Sequence, residues 1–181
     1  MKKIMLCKIL IGSIGFLGVC GVLATAIINT DSEKKVKEDT STMYEYGKCI
    51  KENGSLAENI FLDSNGLSES AIQAYADVFG ETNEERNELK EEKTKKVTKE
   101  REDYLKAIEK GYSASEEEIE AEIEKTKEAI KGTDAEDAIL EFCKGADLTE
   151  AEYWEKMRDA YEVSIVVHKY KTDLAIQNGF K

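Results

Sequence analysis

The stretch G-A-D-L-T-E-A-E-Y-W-E-K-M, Gly145 to Met157, decides how the last third of this chain is read. Thr149 and Glu152 stand three apart in the arrangement of a capping box, in which each side chain satisfies the other residue's otherwise orphaned backbone N–H. Leu148 and Tyr153 occupy the two positions of a hydrophobic staple across the same cap. Together these signals specify a helix start with about 1 kcal/mol or more. The helix they open runs through Tyr161, Ile165, His168 and Tyr170 to about Gln177, where Asn178-Gly179 supplies a stop. Tyr153 and Trp154 are adjacent, so they point about 100° apart and cannot both sit at the centre of one narrow stripe. Trp154, Met157, Tyr161, Ile165 and His168 recur at intervals of three and four and read as the core face.

Working back from that helix, D-A-E-D-A-I-L-E-F-C-K-G is a short helix carrying Ile139, Leu140, Phe142 and Cys143. Before it, Y-S-A-S-E-E-E-I-E-A-E-I-E-K-T-K-E-A-I-K-G opens with a second capping box, Ser115 with Glu118, and places Ile119, Ile123 and Ile130 on one face. Its acidic first turn and lysine-bearing last turn match the helix dipole. Further upstream, Ser68 caps a helix whose staple is Leu67 with Ile72; Ile72, Tyr75, Ala76 and Phe79 form its apolar stripe before Gly80 ends it. Thr42 caps the first helix of this part, which carries Met43, Tyr44, Tyr46, Cys49 and Ile50 and stops at Asn53-Gly54.

The segment from Asn83 to Lys110 differs from all of these. Over its first two-thirds Leu89 and Val97 are the only large apolar residues. Pairs such as Glu91 with Lys95, Glu92 with Lys96 and Lys99 with Asp103 each add about 0.2–0.5 kcal/mol on a helix surface. They predict an exposed, charged helical arm, with Tyr104, Leu105 and Ile108 restoring an apolar stripe near its end.

Composition agrees with helices throughout: 181 residues contain no proline, and 35% are charged, mostly Glu and Lys. The expected fold class is all-α, a membrane-spanning or signal helix followed by a small multi-helix domain with a long C-terminal helix. The domain organisation reads as 1–30 signal peptide or transmembrane anchor, 31–41 hydrated tether, and 42–181 helical domain. Lys2, Lys3 and Lys8 precede an uncharged run, 9–28, long enough to cross a hydrocarbon core of about 30 Å. The basic flank predicts that the rest of the chain faces outward, either anchored in the cell membrane or released by a cut after Ala26 in the small-x-small run Ala24-Thr25-Ala26. Cys20 follows Val19, where lipoprotein processing usually needs a small side chain.

Three of the 26 basic residues lie in that leading segment, whereas all 38 acidic residues follow it. So acidic an exported part argues against nucleic acid as a partner and against binding to anionic lipid headgroups. Cys49 and Cys143, outside the cytoplasm, are permitted a disulfide, but with no Cys-x-x-Cys pattern they read as two buried free thiols. His168 is the only histidine. No spacing of ligands suggests a metal, no motif suggests a cofactor, and no constellation supports an enzyme.

The order Y-S-A-S-E-E-E-I-E-A-E-I, a short helix, then L-T-E-A-E-Y-W and a long helix ending V-S-I-V-V-H-K-Y-K resembles the N-terminal helical domain of SurA-like, trigger-factor-related exported chaperones of Gram-positive bacteria. The match covers about Tyr104 to Lys171, and Leu148-Thr149, Glu152, Tyr153 and Trp154 are its most specific elements. The family's short strand and Val-Asn-Gly-type turn are missing around Thr40 to Glu52, and its helix before the Ser-x-Glu-Glu element is more apolar than Glu84 to Asp103. Only about ten residues follow the match, so no parvulin-type prolyl isomerase domain is expected with it.

The resemblance implies a chaperone-like module that binds unfolded or exported polypeptides without ATP, tethered to the membrane through residues 9–28. Planar and flexible apolar groups bind many sequences, so for a client surface the expected contacts are Tyr153, Met157 and Tyr161, although core packing is the first expectation for Met157 and Tyr161. Leu148, Thr149 and Glu152 are expected to be structural. The competing expectation is a structural protein that binds one defined partner through the charged arm, Glu84 to Asp103.

Overall fold

The computed structural model describes residues 40–53 and 69–179, which form six helices and no strand among the described residues. They are α1 Thr40–Glu52, α2 Glu69–Phe79, α3 Asn83–Glu109, α4 Glu116–Ile130, α5 Asp134–Ala146 and α6 Glu150–Gln177. The all-α expectation holds. The apolar run 9–28, residues 31–39 of the tether and the cap at Ser68 with its Leu67 staple lie outside the described residues, whereas Thr40 and Ser41, expected as tether, belong to α1; among the described residues no helix is long and apolar enough to cross a membrane.

Local signals set most boundaries. Thr149 and Ser115 accept from the backbone N–H groups of Glu152 and Glu118, and both glutamates reach back to the cap backbone, completing both boxes. A third box, Thr82 with Glu85, opens α3, and Thr133 caps α5. At the first helix the expected start is corrected. α1 already includes Thr40, so Thr42 lies inside it; Thr40, Ser41 and Thr42 are three consecutive residues with cap-competent hydroxyls, and side-chain chemistry alone does not choose among them.

α1 packs along α5, α2 joins α1 to α3, α4 lies along α6, and the C-terminal half of α3 packs on the C-terminal half of α6. The α1–α5 crossing is close because two glycines meet it. A Cβ on Gly145 would lie 1.9 Å from the Tyr44 carbonyl oxygen, and one on Gly47 would lie 2.2 Å from that of Phe142. Around this crossing the main core gathers Met43, Tyr46 and Ile50 of α1, Ala138, Phe142 and Ala146 of α5, and Tyr153, Met157 and Tyr161 of α6. A smaller cluster, Ala107 with Val166 and Tyr170, joins α3 to α6 and is flanked by Tyr104, Tyr112 and Leu174.

α6 holds 28 residues, about 42 Å at 1.5 Å per residue, so it outruns the main core and changes partners. Its core face changes with them. Trp154, Met157 and Tyr161 are buried and Ile165 is half-buried, as expected, but His168 is exposed, and Val166, Val167 and Tyr170 take the buried positions beyond it. The stripe in the sequence keeps one phase, whereas the helix turns a different side to α3 than to α5. Tyr153 and Trp154 are also both buried, because the first turns of α6 lie between α5 and α4 and bury two sides at once.

Candidate functional site

Six aromatic rings run without a break through the main core. Tyr75 and Phe79 of α2 touch Tyr46 of α1, which touches Phe142 of α5; Phe142 touches Tyr153, and Tyr153 touches Trp154, all with centroids 4.6–6.0 Å apart. Edge-on and tilted pairs of this kind add about 0.5–1.5 kcal/mol beyond area burial. A lysine stands over each end of the series: Lys93 is 4.4 Å from the Tyr75 centroid and Lys127 is 5.6 Å from that of Trp154.

The Trp154 end opens to solvent. A cleft of about 210 Å³ lies where the end of α4, the start of α5 and the first turn of α6 converge, lined by Trp154, Ile130, Ile139 and Leu140. Its rim carries Glu124, Glu128, Glu136 and Glu150 with Lys127 and Lys131. Two of these carboxylates are held in place: Glu150 accepts the Trp154 indole N–H at 3.0 Å, and Glu136 accepts the Gly132 backbone N–H at 2.7 Å. Lys127 pairs with Glu124 at 2.6 Å, leaving acid in excess around the opening. An apolar floor beneath fixed polar groups is the general form of a small binding pocket.

The three expected client contacts lie elsewhere. Tyr153, Met157 and Tyr161 are 1%, 0% and 2% exposed, so the expectation that they contact clients is corrected, and for Met157 and Tyr161 the core-face reading holds. Each is enclosed in the main core, in one cluster with Met43, Tyr46 and Ile50 of α1 and Ala138 and Phe142 of α5. Trp154, read as core, is the ring of that stretch that borders a cleft. One signal in the sequence was available: Glu150 stands one turn before Trp154, which gives an indole N–H at the helix surface an acceptor. Leu148, Thr149 and Glu152 do act at the cap. Thr149 N–H donates to Glu152 Oε2 at 2.8 Å, a bond that holds the Glu152 carboxyl below its ordinary pKa, and Leu148 packs against the main core.

The charged arm, α3, is less open than expected. The Glu91–Lys95 pair forms at 2.5 Å, but Lys90 donates to Gln73 Oε1 at 2.9 Å, Lys93 covers Tyr75, and Asp103 pairs with Lys171 of α6 at 2.9 Å. Glu100 is buried, the one buried charged side chain among the described residues, and loss of hydration raises its pKa to about 8 against the pull of Lys96 and Lys171. Lys93 is lowered to about 8, mainly by desolvation.

Neither thiol is activated. Cys143 is buried and pushed up to about 11 by that burial, Cys49 is raised by the same cause, and both are free cysteines. Among the described residues no three His, Cys, Asp or Glu side chains gather in a way that would hold a metal ion. Compared with protein-family models, with characterised proteins and with solved structures, the chain matches none.

Proposed function

We propose that this protein is a chaperone-like, ATP-independent binder of unfolded or exported polypeptides, held at the outer face of the cell membrane by residues 9–28. The observation that carries the reading is the Trp154 cleft: four apolar side chains, Trp154, Ile130, Ile139 and Leu140, at the base of a surface opening whose lining is otherwise charged. A socket with an apolar base takes side chains from many sequences, whereas the charges that line the rest of it keep it from associating with itself. The resemblance of Ser115–Glu118 and Leu148–Trp154 to SurA-like, trigger-factor-related helical domains points the same way. No catalytic role is proposed.

The second reading, a protein that recognises one defined partner through α3, draws support from the surface of that helix turned away from α2 and α6, where Glu84, Glu88, Glu91, Lys95 and Glu102 are exposed. The two readings differ in promiscuity and in salt dependence. The deciding assay dilutes a chemically unfolded protein into buffer with and without residues 31–181, which contain the six described helices, at low and high salt and without nucleotide. Suppression of aggregation at up to equimolar ratio that survives high salt supports the chaperone reading. No suppression by a folded helical sample at several-fold excess contradicts it.

A further inference from the structure

The cleft at Trp154 carries more than a place to bind; its chemistry selects what enters. By volume alone, about 210 Å³ exceeds the roughly 150 Å³ that holds benzene, so the cleft has room for one large side chain against Trp154, Ile130, Ile139 and Leu140 and not for a run of them. Around it stand four carboxylates and two ammonium groups, one of which, Lys127, is occupied by Glu124 and by the Trp154 ring. The chain as a whole carries a formal charge of −12, so the field that an approaching segment meets at longer range has the same sign as the rim.

We propose that the cleft seats a single large apolar side chain of an extended, positively charged polypeptide segment, with lysine or arginine residues on either side of the anchor meeting Glu128, Glu136 and Glu150. This inference rests on the polypeptide-binding reading and narrows it to one class of client segment. The anchor supplies desolvation in the socket, and the flanking cations supply orientation and faster encounter. Acidic segments are rejected, because their carboxylates would face those of the rim.

Trp154 is the only tryptophan in the chain, so its emission reports the cleft directly. The experiment holds the full chain in nanodiscs of neutral phosphatidylcholine and titrates three peptides: one phenylalanine flanked by lysines, the same phenylalanine flanked by glutamates, and alanine flanked by lysines. The lysine-flanked phenylalanine peptide is expected to shift the emission and saturate. The glutamate-flanked peptide should bind about tenfold or more weakly, with the gap closing at high salt, and the alanine peptide should leave the emission unchanged.

Glu128→Lys changes an exposed rim residue and should narrow the lysine-to-glutamate gap without altering the far-ultraviolet circular dichroism. Leu140→Asp should abolish the response; if that variant does not fold, Glu128→Lys still decides the charge preference. Equal affinity for the two phenylalanine peptides, or saturation by the alanine peptide, overturns the proposal. If aggregation of an unfolded protein is suppressed while no peptide moves the Trp154 emission, the cleft assignment falls and the broader reading stands. If the phenylalanine peptide binds but aggregation is not suppressed, it is the chaperone reading that falls.

Discussion

The first half of α6 and the first two-thirds of α3 are both held against neighbouring helices, but by opposite means. α6 buries Tyr153, Trp154, Met157, Ala160 and Tyr161 within nine residues and is gripped by α4 and α5. α3 buries one large side chain in its first eighteen residues, that of Glu100, and reaches α2 through the lysines at 90 and 93. Apolar burial of the first kind contributes about 1.5–3 kcal/mol per large side chain. The second kind trades part of that gain against desolvation of charge. One region is therefore a fixed frame and the other a helix held on weak terms.

Truncating the frame should have the largest effect. Tyr153→Ala removes a ring that is 1% exposed and touches both Phe142 and Trp154, and should cost about 3–5 kcal/mol in denaturant unfolding. Gly145→Ala follows, because its new methyl meets backbone, not a side chain that can swing away. Prising α1 off α5 should cost about 1–3 kcal/mol despite the better helix propensity of alanine. A loss below about 0.5 kcal/mol for either variant would mean that the helices yield where the close packing says they do not.

On α3 the expected sign reverses. The folded-state pKa of Glu100 is raised from 4.5 to about 8, so the folded protein binds this proton more tightly than the unfolded chain does. Its contribution is fully present below about pH 4.5 and is lost as pH rises through 8. Glu100→Gln should change little near pH 5 and stabilise by about 1–3 kcal/mol near pH 9, flattening the decline in melting temperature between them. Lys93, depressed to about 8, acts in the opposite sense: its contribution is present above pH 10.5 and is lost as pH falls through 8. From these two groups alone, α3 is therefore least stable near pH 8. Smallest is the cap: Thr149→Ala should cost about 1 kcal/mol and leave the profile between pH 5 and 9 unchanged, its only pH effect lying in acid, where Glu152 loses a hydrogen bond that lowers its pKa.

What could be read in the sequence, and what could not, follows the same division. The capping boxes at Ser115 and Thr149, the stops at Gly80 and Asn178-Gly179, and the apolar faces of α2, α4 and α5 depend on residues within one or two turns, and they were legible. The phase of α6 was not, since His168 turns outward only because the helix exchanges α5 for α3 along its length, a fact of tertiary arrangement. Nor was the docking of α3, because lysine and glutamate look alike in sequence whether their stems are covered or bare. The site suffered from the same gap. The core reading of Trp154 holds at 6% exposure, but Tyr153 is buried as well, and only the positions of α4 and α5 decide which of these two adjacent rings borders a cleft.

Hydrogen exchange across the described residues, with and without an excess of an unfolded client, compares the two regions in one experiment. The account expects client-dependent protection at the end of α4, the start of α5 and the first turns of α6 around Trp154, with residues 83–100 of α3 unchanged. Protection gained along 83–100 and none around Trp154 would contradict it, and would make the charged helix the binding surface of this protein.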